Sequence, residues 1–212
     1  MTEVEYGFHP EGSAAGRCAM TGSERAFHPS RVATPIGTRN NLPLPPGWTA
    51  DRAGLHCDGL LLSFQRYACP ANGIVLELPR SLGALPVGAG AEGFLLPLAE
   101  AEAFWIGVVG GAPANPWPLA IVGVDLTGVT FPIASIKSKA DAFLPGYSRP
   151  DGSWGALSRG ACAMVLIEVG GTNAISGATV HLVSPPEYAA LTGQPAPPPL
   201  DPSAGYGGWR LE

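Results

Sequence analysis

Charge is scarce in this chain. Of 212 residues, 14% are Asp, Glu, Lys or Arg, against about 25% in an average soluble domain. Lysine is scarcest, with Lys137 and Lys139 alone. Nucleic-acid binding rests on a basic stripe that neutralises phosphates. No such stripe occurs and the net charge is -5, so no nucleic-acid partner is expected. A polybasic membrane-surface patch is excluded for the same reason.

Long apolar runs are missing too. None approaches the roughly 20 residues that span a bilayer as a helix. The opening MTEVEYGFHPEG carries three acids and no apolar core, unlike a secretory signal. No membrane partner is expected, and a cytoplasmic location is. Cysteine is sparse: Cys18, Cys57, Cys69 and Cys162 are too few and too scattered for a disulfide scaffold. A reducing compartment keeps them as thiols.

Familiar catalytic signatures are absent. There is no G-x-S-x-G and no P-loop. Gly88-Ala-Gly90-Ala-Glu-Gly93 matches G-x-G-x-x-G in letters, but no helix follows within a βαβ unit. No C-x-x-C or H-x-x-x-H pair supplies zinc-ligand spacing.

What the chain has in quantity is glycine (29), proline (23) and hydrophobic residues (46%). Disordered chains combine high charge with few apolar residues, the reverse of this. The combination reads as short strands joined by Gly/Pro turns. Eight apolar runs of strand length follow residue 58: LLLSFQRY (60–67), IVLEL (74–78), GFLLPL (93–98), AFWIGVV (103–109), LAIVGVDL (119–126), VTFPIASI (129–136), ACAMVLIEV (161–169) and TVHLV (179–183). Asn72-Gly73 predicts a tight hairpin between the first two runs, and Thr127-Gly128 another between the fifth and sixth. Pro97 and Pro132 interrupt two runs and predict edges or bulges, since proline cannot donate to a ladder. Residues 99–102 suggest one helical turn, and 139–143 a short helix before Pro145. Pro185-Pro186 ahead of EYAALT and Gly193 after it carry helix start and stop chemistry.

The expected fold is all-β: an antiparallel β-sandwich or jelly-roll-like barrel of about eight strands with one short C-terminal helix. Residues 1–50 read as an irregular N-terminal extension draped over the body, with Leu42, Leu44 and Trp48 as anchors. Residues 51–193 read as the β-rich domain. Residues 194–212 read as a Pro-rich strap, extended over 195–202, with Tyr206 and Trp209 docking beyond it.

Three functional readings compete. The first is a non-catalytic sandwich that works by homo-oligomeric assembly or by binding a carbohydrate or protein ligand. Low surface charge favours burial against other copies. Aromatics in Gly/Pro-rich connections (Trp48, Trp117, Tyr147, Trp154, Tyr206 and Trp209) would be platforms or anchors, unless they fold back to cap the sandwich. The second is a hydrolase acting on a small molecule or sugar, pairing Asp125 or Glu168 with His56 or His181 in one pocket. The bland reading of those carboxylates is polar, outward-facing strand positions. The third is a metal protein using His9, Cys18, His28, His56 and Cys57. Adjacent residues of an extended chain point opposite ways, which argues against a shared metal at His56-Cys57. No cofactor is expected.

Overall fold

The computed structural model describes residues 47–57, 59–110, 118–137, 141–170 and 175–200. In chain order the strands are β1 (Trp48–Ala50), β2 (Leu55–Cys57), β3 (Leu60–Ala68), β4 (Ile74–Val75), β5 (Gly88–Gly90), β6 (Gly93–Pro97), β7 (Glu102–Val109) and β8 (Leu119–Val124). They continue as β9 (Thr130–Ile136), β10 (Ala142–Leu144), β11 (Tyr147–Ser148), β12 (Trp154–Gly155), β13 (Leu157–Ser158), β14 (Met164–Gly170) and β15 (Ile175–Val183), before helix α1 (Pro185–Thr192).

Two six-stranded sheets face each other. The first has the order β1-β2-β3-β7-β10, with β13 also on β7; the second runs β5-β6-β15-β14-β8-β9. Period-two alternation decides what lies between them. On the first sheet Leu60, Leu62 and Phe64 of β3 and Phe104, Ile106 and Val108 of β7 point inward. On the second, Phe94, Leu96, Ile121, Val165, Ile167 and Val180 do. All belong to one buried cluster, in which Phe64 and Phe104 meet edge to face at 5.7 Å. Each such side chain contributes roughly 1.5–3 kcal/mol on burial.

A third, small sheet, β11-β12-β4, covers part of the first sheet's outer face. Beneath it Tyr67, Val75, Ala103 and Ala156 form a second buried cluster, with Trp105 and Trp154 packed at its edge. The helix covers one end of the second sheet's outer face, where Leu95, Val183 and Tyr188 are buried together.

The all-β sandwich expected from the sequence is present, with an open rather than a closed barrel-like arrangement. The eight apolar runs form β3, β4, β6, β7, β8, β9, β14 and β15, and the remaining strands have two or three residues each. Several local expectations need correction. Gly73 does turn, donating its N–H to Pro70 O at 2.8 Å with φ +66. The flanking strands do not form a hairpin, because β4 pairs with β12 while β3 pairs with β2 and β7. The turn signal fixes a local reversal, but only two residues of β4 follow it in extended form. Residues 99–102 make a turn, with Glu102 N–H donating to Ala99 O at 3.1 Å. Phe143, placed in a short helix by the sequence reading, lies in β10, paired opposite Gly107. Its neighbours Ala142 and Leu144 are buried while it is exposed, the alternation of a strand. One sheet junction, β6 with β15, is parallel.

Other expectations hold. β8 and β9 form the second hairpin, closed by Asp125 N–H donating to Val129 O. Pro132 lies on the edge strand β9 beside a register shift at Ile121/Val122. Pro97 ends β6, past the last residue paired to β5. Ser184 and Glu187 form a capping box at the start of α1, and Gly193 ends it in the left-handed region. Residues 195–200 join no strand or helix. Trp48 is buried as an anchor, but as part of β1 paired with β2 rather than as an irregular drape. Leu42, Leu44, Tyr206 and Trp209 lie outside the described residues.

Candidate binding surface

The four residues of the hydrolase reading occupy three places. Asp125 begins the β8–β9 turn. Its Oδ1 accepts from Thr127 N–H and Oγ1 at 2.7 Å each and from Val129 N–H at 2.9 Å. Those bonds, led by the Thr127 hydroxyl, hold its carboxyl below the usual range. This is a turn-forming aspartate. Glu168 and His181 share the outer face of the second sheet, where Glu168 stands opposite Gly177 and His181 opposite Met164. Four residues of strand separate the two positions, about 13 Å at about 3.3 Å per residue. His181 Nε2 is buried without a hydrogen-bond partner. His56 lies on the other sheet, in β2 opposite Leu61. Its Nε2 is 3.1 Å from Asp51 Oδ2, close enough to pair when the imidazole is protonated.

Cys57 points into the core while His56 points out, so the two diverge as strand geometry requires. Among the described residues no three His, Cys, Asp or Glu side chains group as metal ligands. His9, Cys18 and His28 lie outside the described residues.

The loop aromatics that are described fold inward. Trp48 is buried in the main core. Tyr147 packs against that core and meets Phe131 at 4.7 Å. Trp154 packs on the small cluster under the third sheet. Trp117 lies outside the described residues. Trp48 is buried, and Tyr147 and Trp154 are half-buried against the two clusters.

The exposed aromatic is one that sequence reasoning assigned no role. β3, β7 and β10 present Leu61, Ser63, Gln65, Tyr67, Ala103, Trp105, Gly107, Val109 and Phe143 outward. None is charged at neutral pH. The third sheet covers the Tyr67 and Ala103 end. The other end is open: Phe143 is 56% exposed and Val109 47%. Trp105 meets Phe143 edge to face, with ring centroids 5.7 Å apart and planes at 80°. Gly107 lies between them in register, opposite both Ser63 and Phe143. A Cβ there would come within 2.6 Å of Ser63 Oγ and 3.2 Å of the Trp105 ring, so only glycine lets that ring lie down. The signal was present in the run AFWIGVV and in Phe143. It was masked because strand position, not composition, decides which apolar residues face out.

A second feature is a depression of about 420 Å3 between α1 and the C-terminal strap, lined by prolines and alanines with Glu100 and Arg159. None of Asp125, Glu168, His56 or His181 lines it. Comparison of the chain with family models, with curated proteins and with solved structures finds no match in any of the three. No helix of the described residues is long and apolar enough to cross a membrane.

Proposed function

We propose that this chain is a non-catalytic β-sandwich protein that works by association, and that a second copy meets it on the open end of the first sheet's outer face. The observation that carries this reading is Phe143, more than half exposed, beside Trp105 and Val109 on a face to which β3, β7 and β10 contribute no charged residue. An exposed apolar patch costs solubility unless something covers it. With a net charge of -5, copies repel each other over most of their surface. The part of the face built by β3, β7 and β10, with Asp141 at its margin bound to Gly110 N–H, is where two copies meet with the fewest like charges opposed. It is also self-complementary, as a twofold interface requires.

Light scattering on the wild-type chain and on Phe143→Ser tests this. A wild-type mass above that of one chain, falling toward one chain in the variant, supports the reading. A strictly monomeric wild type overturns self-association. If such a monomer instead binds an oligosaccharide in a Phe143-dependent way, the face is a carbohydrate platform.

A further inference from the structure

The two ionisable side chains at the open end of the core do more than pair with each other. Register places Ala68 opposite Glu102 and Arg66 opposite Phe104, so Arg66 and Glu102 lie on one diagonal of the first sheet's inner face. Their nearest atoms are 3.6 Å apart. Both also grip the backbone of the strap. Arg66 Nη1 donates to Pro198 O at 2.9 Å. Leu200 N–H donates to Glu102 Oε1 at 2.7 Å, and that contact is buried. The intervening Pro199 has no N–H to satisfy. The pair thus recognises one carbonyl and, two residues later, one amide, with the Leu200 side chain 9% exposed below them.

Besides the clasp, the strap is joined to the body through Ala196, packed on the Leu95, Val183 and Tyr188 cluster, and through Tyr188 O–H donating to Gln194 Oε1 at 3.4 Å. It forms no ladder with any described strand. It leaves α1 through Gly193, which is left-handed at φ +67 with nothing within 4 Å of a Cβ position. A depression lies between Pro185, Pro186 and Ala189 of the helix and Pro197 of the strap. Beyond Ala196 the strap is held by the clasp. Prolines at 195, 197, 198 and 199 hold the extended form before docking, which lowers the ordering cost of any docking event.

We infer that Arg66 and Glu102 form a recognition site for an extended Pro-Pro-Leu segment, and that a second copy of this chain can supply that segment by exchanging straps. Every contact that holds the strap is made by side chains of the body, so the same contacts form whichever copy donates it. This inference is independent of the association face proposed above.

The test uses full-length chains carrying Phe143→Ser, so that the sheet face is silent. One variant adds Arg66→Met and Glu102→Leu, disabling the clasp and keeping the strap. The other adds Leu200→Asp, setting a carboxylate against Glu102 and disabling the strap. Circular dichroism verifies that each is folded. Mixing them should give a one-to-one heterodimer by native mass spectrometry that neither forms alone. A labelled synthetic peptide of residues 194–200 gives a second reading. It should bind the Leu200→Asp chain at least about tenfold more tightly than the clasp-disabled chain, the loss expected when a charge-assisted hydrogen bond goes. Folded variants that form no heterodimer, together with peptide binding equal for the two chains or absent, would overturn the inference.

Discussion

Glu102 is the one buried charged side chain among the described residues, at 2% exposure. Its removal should be among the costliest single changes in the chain. The carboxylate accepts from Leu200 N–H at 2.7 Å and, more loosely, from Ala99 N–H at 3.4 Å, and faces Arg66 at 3.6 Å. Glu102→Ala leaves the Arg66 guanidinium, itself largely buried, without its anion, and leaves a buried amide without an acceptor. Removing one partner of a buried pair costs roughly 3–5 kcal/mol. In a chain of this size that lowers Tm by roughly 6–20 °C. Glu102→Gln keeps an oxygen for Leu200 N–H and loses only the charge, so it should cost about 1–2 kcal/mol. Replacing both members, with Arg66→Met and Glu102→Leu together, removes the buried charges and should cost less than Glu102→Ala alone. Thermal melts followed by near-ultraviolet circular dichroism give all three values. Equal Tm values for wild type and Glu102→Ala would refute the reasoning, because a buried carboxylate with these partners cannot be deleted without cost.

Three further outcomes follow from other parts of the fold. Gly93 has φ +145, and a Cβ there would lie 2.5 Å from the Thr179 carbonyl oxygen; Gly93→Ala should strain the parallel β6–β15 junction and cost more than about 1 kcal/mol in a denaturant titration. Cys162 is fully buried, and burial pushes its thiol up to about 12 from 9.0; it should resist a thiol reagent in the native protein and react on unfolding. Because that folded value is raised, its contribution to stability is complete below about pH 9 and is lost as pH rises toward 12, so alkaline melts of the wild type should fall more steeply than those of Cys162→Ala. Asp125 is shifted the other way by the turn hydrogen bonds; its stabilisation is present above 3.8 and lost as pH falls through the lowered folded value, so Asp125→Asn should lose stability relative to wild type near neutrality and converge with it at strongly acidic pH.

The sequence carried the class of fold because strand alternation and Gly/Pro punctuation are local. The runs at 60–67, 103–109 and 161–169 each became a strand with one face in the core. It did not carry the pairing. Asn72-Gly73 specified a reversal, yet β4 found β12 some eighty residues later, a choice made by the core under the third sheet. The clasp was also illegible. Arg66 and Glu102 are 36 positions apart, and only the β3–β7 register places them on one diagonal. Prolines marked the strap as extended, but nothing in their spacing named what would hold Leu200. The candidate surface was hidden for a related reason. Trp48, Tyr147 and Trp154 lie in Gly/Pro-rich stretches that read as connections and drew attention, yet all three start short strands and pack against the cores. Phe143 sits on a three-residue edge strand that no periodicity argument could find.

The central claim is that the open end of the first sheet's outer face is covered when the protein works. Hydroxyl-radical footprinting of Phe143 across a wide range of protein concentration tests it most directly. In a single chain the ring is 56% exposed and should oxidise readily. The account predicts that its oxidation slows as concentration rises, while that of Leu76, exposed at 83% in a loop, does not change. Oxidation of Phe143 at one unchanging rate over the whole range would contradict it.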